Sequence, residues 1–184
     1  MGLTKLRSGA FPVGAVLQTV SSIKSGVQSV AYNAGITLIT DLSVNITPSS
    51  TSSKILVQSY ITSSSYTGGS QARLFRLYRN GSEISDSVPT RQSSQLGAWL
   101  KTSGVIGMSS TGSFNTDHGM GSDSAFYLDS PSSTSQQTYA IYLDPQNNTS
   151  TQGIHINRNG SDQDSNGHWE ARSTSAIMVM EIKG

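Results

Sequence analysis

Ser175–Ala176–Ile177–Met178–Val179–Met180–Glu181–Ile182–Lys183 is the stretch on which the reading of this chain turns. Side chains alternate along a strand, so Ile177 and Val179 point one way and Ala176, Met178, Met180 and Ile182 the other. A strand in an ordinary antiparallel two-layer protein packs one face on the core and leaves the other wet. Here both faces are apolar. The second face needs a cover, and a neighbouring subunit is the simplest one; loops of the same chain are the alternative. The expectation is a subunit interface at Ala176, Met178, Met180 and Ile182.

Similar runs lie upstream. Tyr139–Leu143 is also apolar on both faces. Ile36, Leu38, Leu42, Val44 and Ile46 share one parity, interleaved with Thr37, Asp41, Ser43 and Asn45, which predicts a one-sided strand interrupted at Ile39 and Thr40. Pro48 and the Ser/Thr run after it end that strand, and Lys54–Ile61 begins another. Leu74–Tyr78 leads into Asn80–Gly81 and then Glu83–Ile84, a hairpin signal because Asn and Gly tolerate the positive φ of a type I′ turn. Gly14–Val20 reads as a first strand, with weaker strands at Ala98–Leu100, Gly104–Met108 and Ala125–Leu128. Ile154–Ile156 precedes a second Asn-Gly at Asn159–Gly160. The sum is about nine or ten short strands separated by turns, the signature of an all-β antiparallel sandwich or jelly roll. Val20–Ala34 is Ser-rich and shows no clear period. Gly107–Ser124, Asp144–Gly153 and Asn157–Thr174 are polar and too long for tight hairpins.

The 184 residues suit one domain over 14–184, preceded by an arm over 1–13. Charged residues make up only 12%, about half the usual ~25%. Twelve basic against eleven acidic residues give no long-range pull toward nucleic acid or an anionic membrane. Arg73, Arg76 and Arg79 alternate faces rather than forming a patch, and read as a solvated strand edge. There are no cysteines, so disulfides, thiolate metal sites and thiol nucleophiles are excluded together. The first residues, Met1 to Arg7, run into Gly and Pro rather than an apolar stretch, so no signal peptide is expected, and no run is long enough to insert into a membrane. A protein of this kind working outside a cell would get there by a route other than ordinary secretion, release by lysis as part of a virion being one.

The residues offer little chemistry. An enzyme reading would have to be assembled from His118, His155 and His168, with Asp117, Asp123, Asp129 or Glu170 as carboxylates. There is no Gly-x-Ser-x-Gly elbow and no His-x-x-x-His spacing for zinc. No catalytic residues and no cofactor are assigned. Asp162, Asp164 and Asn166 followed by Gly167 match the first half of a Ca²⁺ loop, but the twelfth position is Ser173 rather than Glu, and Asx-rich turns have the same composition. Tyr66, Trp99, Trp169 and His168 are candidate contacts for a glycan, since sugars bind on exposed aromatic rings; both tryptophans read equally as core or interface residues.

Four segments together resemble a known family: Gly14–Gln18; Ile46–Ser50 with Ser53–Val57; Leu77–Gly81; and Met178–Gly184. They resemble a β-module common among tailed bacteriophages, especially phages of marine bacteria and cyanobacteria, found on fibres and other virion-surface proteins. The resemblance implies a jelly-roll-like sandwich assembled as a homotrimer and transfers no catalytic residue. The chain has roughly a dozen residues before its first strand, too few for a fibre stem. That length favours a capsid decoration or head-fibre protein on the virion surface, docked on other virion proteins through Leu3, Lys5, Leu6, Arg7 and Phe11. The alternative is a short tail-fibre or tail-tip module that recognises host surface carbohydrate.

Overall fold

Most of the runs named above become strands, because alternating apolar side chains fill one side of a pleated sheet, while Gly104–Met108 lies outside the described residues. The structure, a computed structural model, describes residues 11–65, 73–88, 98–102, 120–145, 153–160 and 172–184. These carry eleven strands: β1 (Val16–Lys24), β2 (Gln28–Ala31), β3 (Thr37–Ile46), β4 (Lys54–Ser65), β5 (Arg73–Arg79), β6 (Ser82–Glu83), β7 (Leu100–Thr102), β8 (Gly121–Asp129), β9 (Gln137–Asp144), β10 (Gly153–Ile156) and β11 (Ser175–Ile182). They form two antiparallel sheets. The first has the order β1-β11-β4-β10-β2 with β8 on β4, the second β3-β9-β5-β6 with β7 on β5.

Several of these strands are halves of one. β10 and β11 lie end to end along β4, pairing with Ser63–Ser65 and Lys54–Tyr60 respectively. β1 and β2 lie end to end along them in the same way, and β6 and β7 share one side of β5. Asn157 holds the seam, fully buried and at φ 64°, a region Asn tolerates better than most residues. Its amide Nδ2 donates to the carbonyls of Lys24 (2.8 Å) and Gly26 (3.0 Å), its Oδ1 accepts from Ser175 Oγ (2.6 Å), and its N–H donates to Thr62 O (3.0 Å). With the halves joined there are eight strand positions, in the orders 1-8-3-6 and 2-7-4-5. The pairs 1–8, 2–7, 3–6 and 4–5 are each antiparallel. That is the strand order of a jelly roll, a long hairpin rolled into two packed sheets.

The core lies between the sheets and is aliphatic, with Ile39, Leu42, Ile55, Val57, Ile61, Phe75, Leu77, Ile141, Leu143, Ile177 and Val179 all essentially unexposed. The Asn80–Gly81 hairpin forms as expected, with φ 51° and 82° and Arg79 paired to Ser82.

Three readings are corrected. The single-parity strand over Ile36–Ile46 changes face midway: Ile36 and Leu38 are exposed, while Ile39, Leu42, Val44 and Ile46 are buried. Asp41 at φ 65° marks the irregularity, and the pairing with β9 slips between Leu38 and Ser43, so the odd positions face inward before it and the even ones after it. The Ser-rich stretch after Val20 is not irregular, since β1 runs on to Lys24 and β2 follows. Arg73 and Arg76 are buried, on a strand flanked on both sides rather than at an edge. In β11 the two apolar parities face opposite ways, as its alternation implies. Ser175, Ile177, Val179 and Glu181 face the core, whereas Ala176, Met178, Met180 and Ile182 are half-exposed on the outside.

Candidate functional site

Directly paired residues in an antiparallel sheet share a face, so the registers define the outer surface of the first sheet. Ile23, Ala176 and Tyr60 form one row; Ser21, Met178, Gln58 and Phe126 the next; Thr19, Met180, Leu56 and Leu128 a third. Phe126 is 75% exposed, Ile23 66% and Tyr60 48%. A groove of about 450 Å³ runs between Ile23, Tyr60, Phe126, Ala176 and Met178. These three rows hold no charged residue. Aromatic and Met side chains around an uncharged centre are the composition of protein–protein contact patches.

Behind this face, the same β11 carries a buried carboxylate. Glu181 Oε1 accepts from Ser49 N–H (2.7 Å), Ser49 Oγ (2.6 Å) and Ser53 Oγ (2.6 Å), and Oε2 accepts from Gln18 Nε2 (2.7 Å). Burial by itself would raise this carboxyl's pKa, but the hydrogen bonds from Ser49, Ser53 and Gln18 outweigh it and hold the pKa below the ordinary value. The strand end is thereby fastened to the β3–β4 turn.

At the edge between β8 and the β6 hairpin the two sheets part and leave a polar crevice of about 330 Å³. Arg79 Nη1 and the Tyr139 hydroxyl both donate to Asp129 Oδ2, each at 2.6 Å. Burial, then the bond to Asp129, pushes the Tyr139 phenol well above its usual pKa, so it remains a donor. Tyr127, Glu83 and Asp86, the last on the 3-10 turn Ser85–Ser87, complete the rim. The opposite edge of the sandwich is closed: Gln18, Ser22 and Gln28 donate to the carbonyls of Thr47, Asp41 and Leu38 on the β3 side.

Of the residues singled out from the sequence, Leu3, Lys5, Leu6, Arg7, Tyr66, His118, Asp162, Asp164, Asn166, His168 and Trp169 lie outside the described residues. Phe11 is half-buried, and its carbonyl accepts a hydrogen bond from Lys183 Nζ. Gly14 and Lys183 are also bonded through their backbones (2.8 Å), which ties the end of the arm to the C-terminal strand. Trp99 is half-buried against the core cluster, with Nε1 3.4 Å from Phe126 O. His155 is buried beside Ser29, Nδ1 to Oγ 2.9 Å. Among the described residues no group of three His, Asp or Glu could hold a metal, and no helix is long and apolar enough to cross a membrane. Composition and spacing carried no sign of the crevice, because Arg79 and Asp129 are fifty positions apart and meet only when the hairpin rolls.

The fold defines the class: an antiparallel β-sandwich of jelly-roll order whose first sheet carries exposed apolar side chains, Ile23, Tyr60, Phe126 and Leu128, on its outer face. No protein-family model matches the chain, and no curated protein matches it.

Proposed function

We propose that this is a non-enzymatic structural protein on the surface of a bacteriophage virion. In this reading it is a trimeric capsid decoration or head-fibre protein, anchored by its N-terminal arm to other virion proteins and made in the host cytoplasm until lysis. The observation that carries the proposal is the apolar, uncharged centre of the first sheet's outer face, with Lys54 beside Ile182 at its rim. Jelly rolls serve many functions, so the fold alone would not suffice. Burying a few hundred Å² of apolar surface recovers roughly 25 cal/mol per Å², which matters to a fold whose whole stability is about 5–15 kcal/mol. Three copies around one axis, each turning this sheet inward, would cover Met178, Met180, Leu56 and Phe126 with their own kind. The threefold order comes from the resemblance to phage modules, the covered face from the geometry.

The arm supports the polarity. It ends at Phe11–Gly14 beside the C-terminus, with Lys5 and Arg7 available for carboxylates and Leu3, Leu6 and Phe11 for apolar pockets on a partner. The first test is sedimentation and native mass spectrometry of the purified chain. The expected mass is three times 19.5 kDa, and a stable monomer overturns the proposal. The second deletes residues 2–12: the sandwich stays folded and the protein disappears from purified particles. Normal incorporation of that deletion reverses the assigned orientation.

A second reading, a short tail-fibre or tail-tip module for a host glycan, is favoured by one observation, the polar crevice at the open sandwich edge.

A further inference from the structure

Asp129 is only 4% exposed, yet it lines the crevice. Both of its hydrogen bonds fall on Oδ2, and Oδ1 has no partner among the described residues. That oxygen is not among the fully buried unpartnered atoms of the described residues, so it opens to the crevice as an acceptor that a ligand hydroxyl can reach. Glu83 is already committed, accepting from Arg76 Nη1 with both oxygens (2.8 and 3.0 Å). Asp86 stands exposed on its turn, holding only a long bond from Ser85 Oγ (3.3 Å). Arg79 spends Nη1 on Asp129 and lies against the Tyr139 hydroxyl, while its guanidinium is about one-third exposed along the crevice. The crevice thus presents acceptors, donors and one aromatic ring, Tyr127, within a volume of about 330 Å³, near the lower end of the ~300–1,000 Å³ typical of small-molecule sites.

The chemistry selects among ligands by exclusion. An anion would meet Asp86, Glu83 and Asp129 together. A metal ion would sit beside the Arg79 guanidinium, where no three-ligand group exists among the described residues. An apolar molecule would strip water from every polar group and replace none of its bonds. A neutral polyol suits all of them, since each hydroxyl both donates and accepts and the carbon face of a sugar ring can lie on an aromatic side chain.

We propose that this crevice binds a neutral saccharide, with Asp129 Oδ1 and Asp86 accepting its hydroxyl protons, Arg79 donating to its oxygens, and Tyr127 forming the apolar wall. Asp129 is a positioned acceptor because Arg79 and the Tyr139 hydroxyl already fix its carboxylate. The proposal deepens the second reading by giving it a site and a ligand class. It holds wherever the protein sits on a particle, so its failure leaves the decoration reading standing.

The experiment is saturation-transfer NMR on the full chain with glucose, galactose, mannose and N-acetylglucosamine, each at about 10 mM, a level that reports the weak affinities expected of one shallow site. Sodium glucuronate and inorganic phosphate serve as anionic comparators. Transfer to the ring protons of at least one neutral sugar is expected, weakened roughly tenfold in Asp86→Asn by loss of a charge-assisted bond and unchanged in Ser43→Ala on the second sheet. Asp129→Asn should abolish transfer; should that variant fail to fold, Asp86→Asn decides alone. The proposal is overturned if none of the neutral sugars receives saturation, if only glucuronate or phosphate binds, or if Asp86→Asn binds as the wild type does.

Discussion

The two outer faces of the sandwich are built on opposite principles. Over its three central rows, the first sheet's outer surface is apolar and uncharged, with Phe126 and Ile23 largely exposed. On the second sheet, the corresponding surface of β5 and β9 is locked by charge. Arg76 reaches Asp144 through Nε (3.0 Å) and Nη2 (2.5 Å) and Glu83 through Nη1, and Tyr78 lies against Tyr142 with ring centroids 4.1 Å apart. The Asp144 and Glu83 bonds raise the Arg76 pKa in spite of burial, which alone would lower it. A face whose charges are paired within the chain has no need of a partner, and the proposed interface lies on the other one.

The sharpest way to break this contrast is Arg76→Ala. It leaves Asp144 and Glu83 without their cation, and thermal or urea unfolding should show a loss of about 3 kcal/mol with no change in oligomeric state. Dissociation of subunits by this variant would mean that both faces are interfaces. On the other face, Met178→Asp, Met180→Asp and Phe126→Asp should raise the subunit dissociation constant by roughly a hundredfold, about 2–3 kcal/mol. Concentration-dependent sedimentation reads this directly, while far-UV circular dichroism should keep its β signature; unchanged association would return this face to solvent.

Glu181 sharpens the comparison within one strand, since it points inward beside outward Met180 and Ile182. Its carboxyl has a lowered pKa in the fold, so its contribution is fully present above the ordinary value near 4.5 and is lost as pH falls through the lowered folded value. Stability should therefore drop below about pH 4.5, and Glu181→Gln, costing about 1–2 kcal/mol at neutral pH, should flatten that part of the profile. An equally steep acid limb in Glu181→Gln would assign it to other carboxylates. The smallest effect expected is that of Tyr142→Leu, about 1 kcal/mol from the lost ring pair with Tyr78, measured as a shift in unfolding midpoint.

Much of the fold was legible because it is local. Asn80–Gly81 dictates its own turn, and the alternation of β4 and β11 reads at period two whatever surrounds it. The face reversal in β3 was not legible, since nothing in Ile36–Ile46 says that Asp41 will take a positive φ; pairing with β9 and the need to bury Ile39 decide it. The three arginines of β5 misled for a related reason. Charge argues for solvent, but Asp144 and Glu83 around Arg76, Asp129 on Arg79 and the Asp123 charge near Arg73, brought in from other strands and the next hairpin arm, offset the cost of burial. Of the candidate sites, the outer residues of β11 were visible as an apolar parity, but Phe126 and Tyr60 join them only through strand register.

The sequence by itself determined the secondary structure class, most of the strands, the turn at Asn80–Gly81 and the presence of one apolar face too many. These depend on neighbours in the chain, through side-chain alternation and backbone preference. Only the tertiary structure decided the jelly-roll order, the sealing of one edge, the opening of the other around Asp129, and the fastening of Glu181 to Ser49, Ser53 and Gln18. Those depend on which distant strands meet, and buried polar groups acquire their partners only when they do.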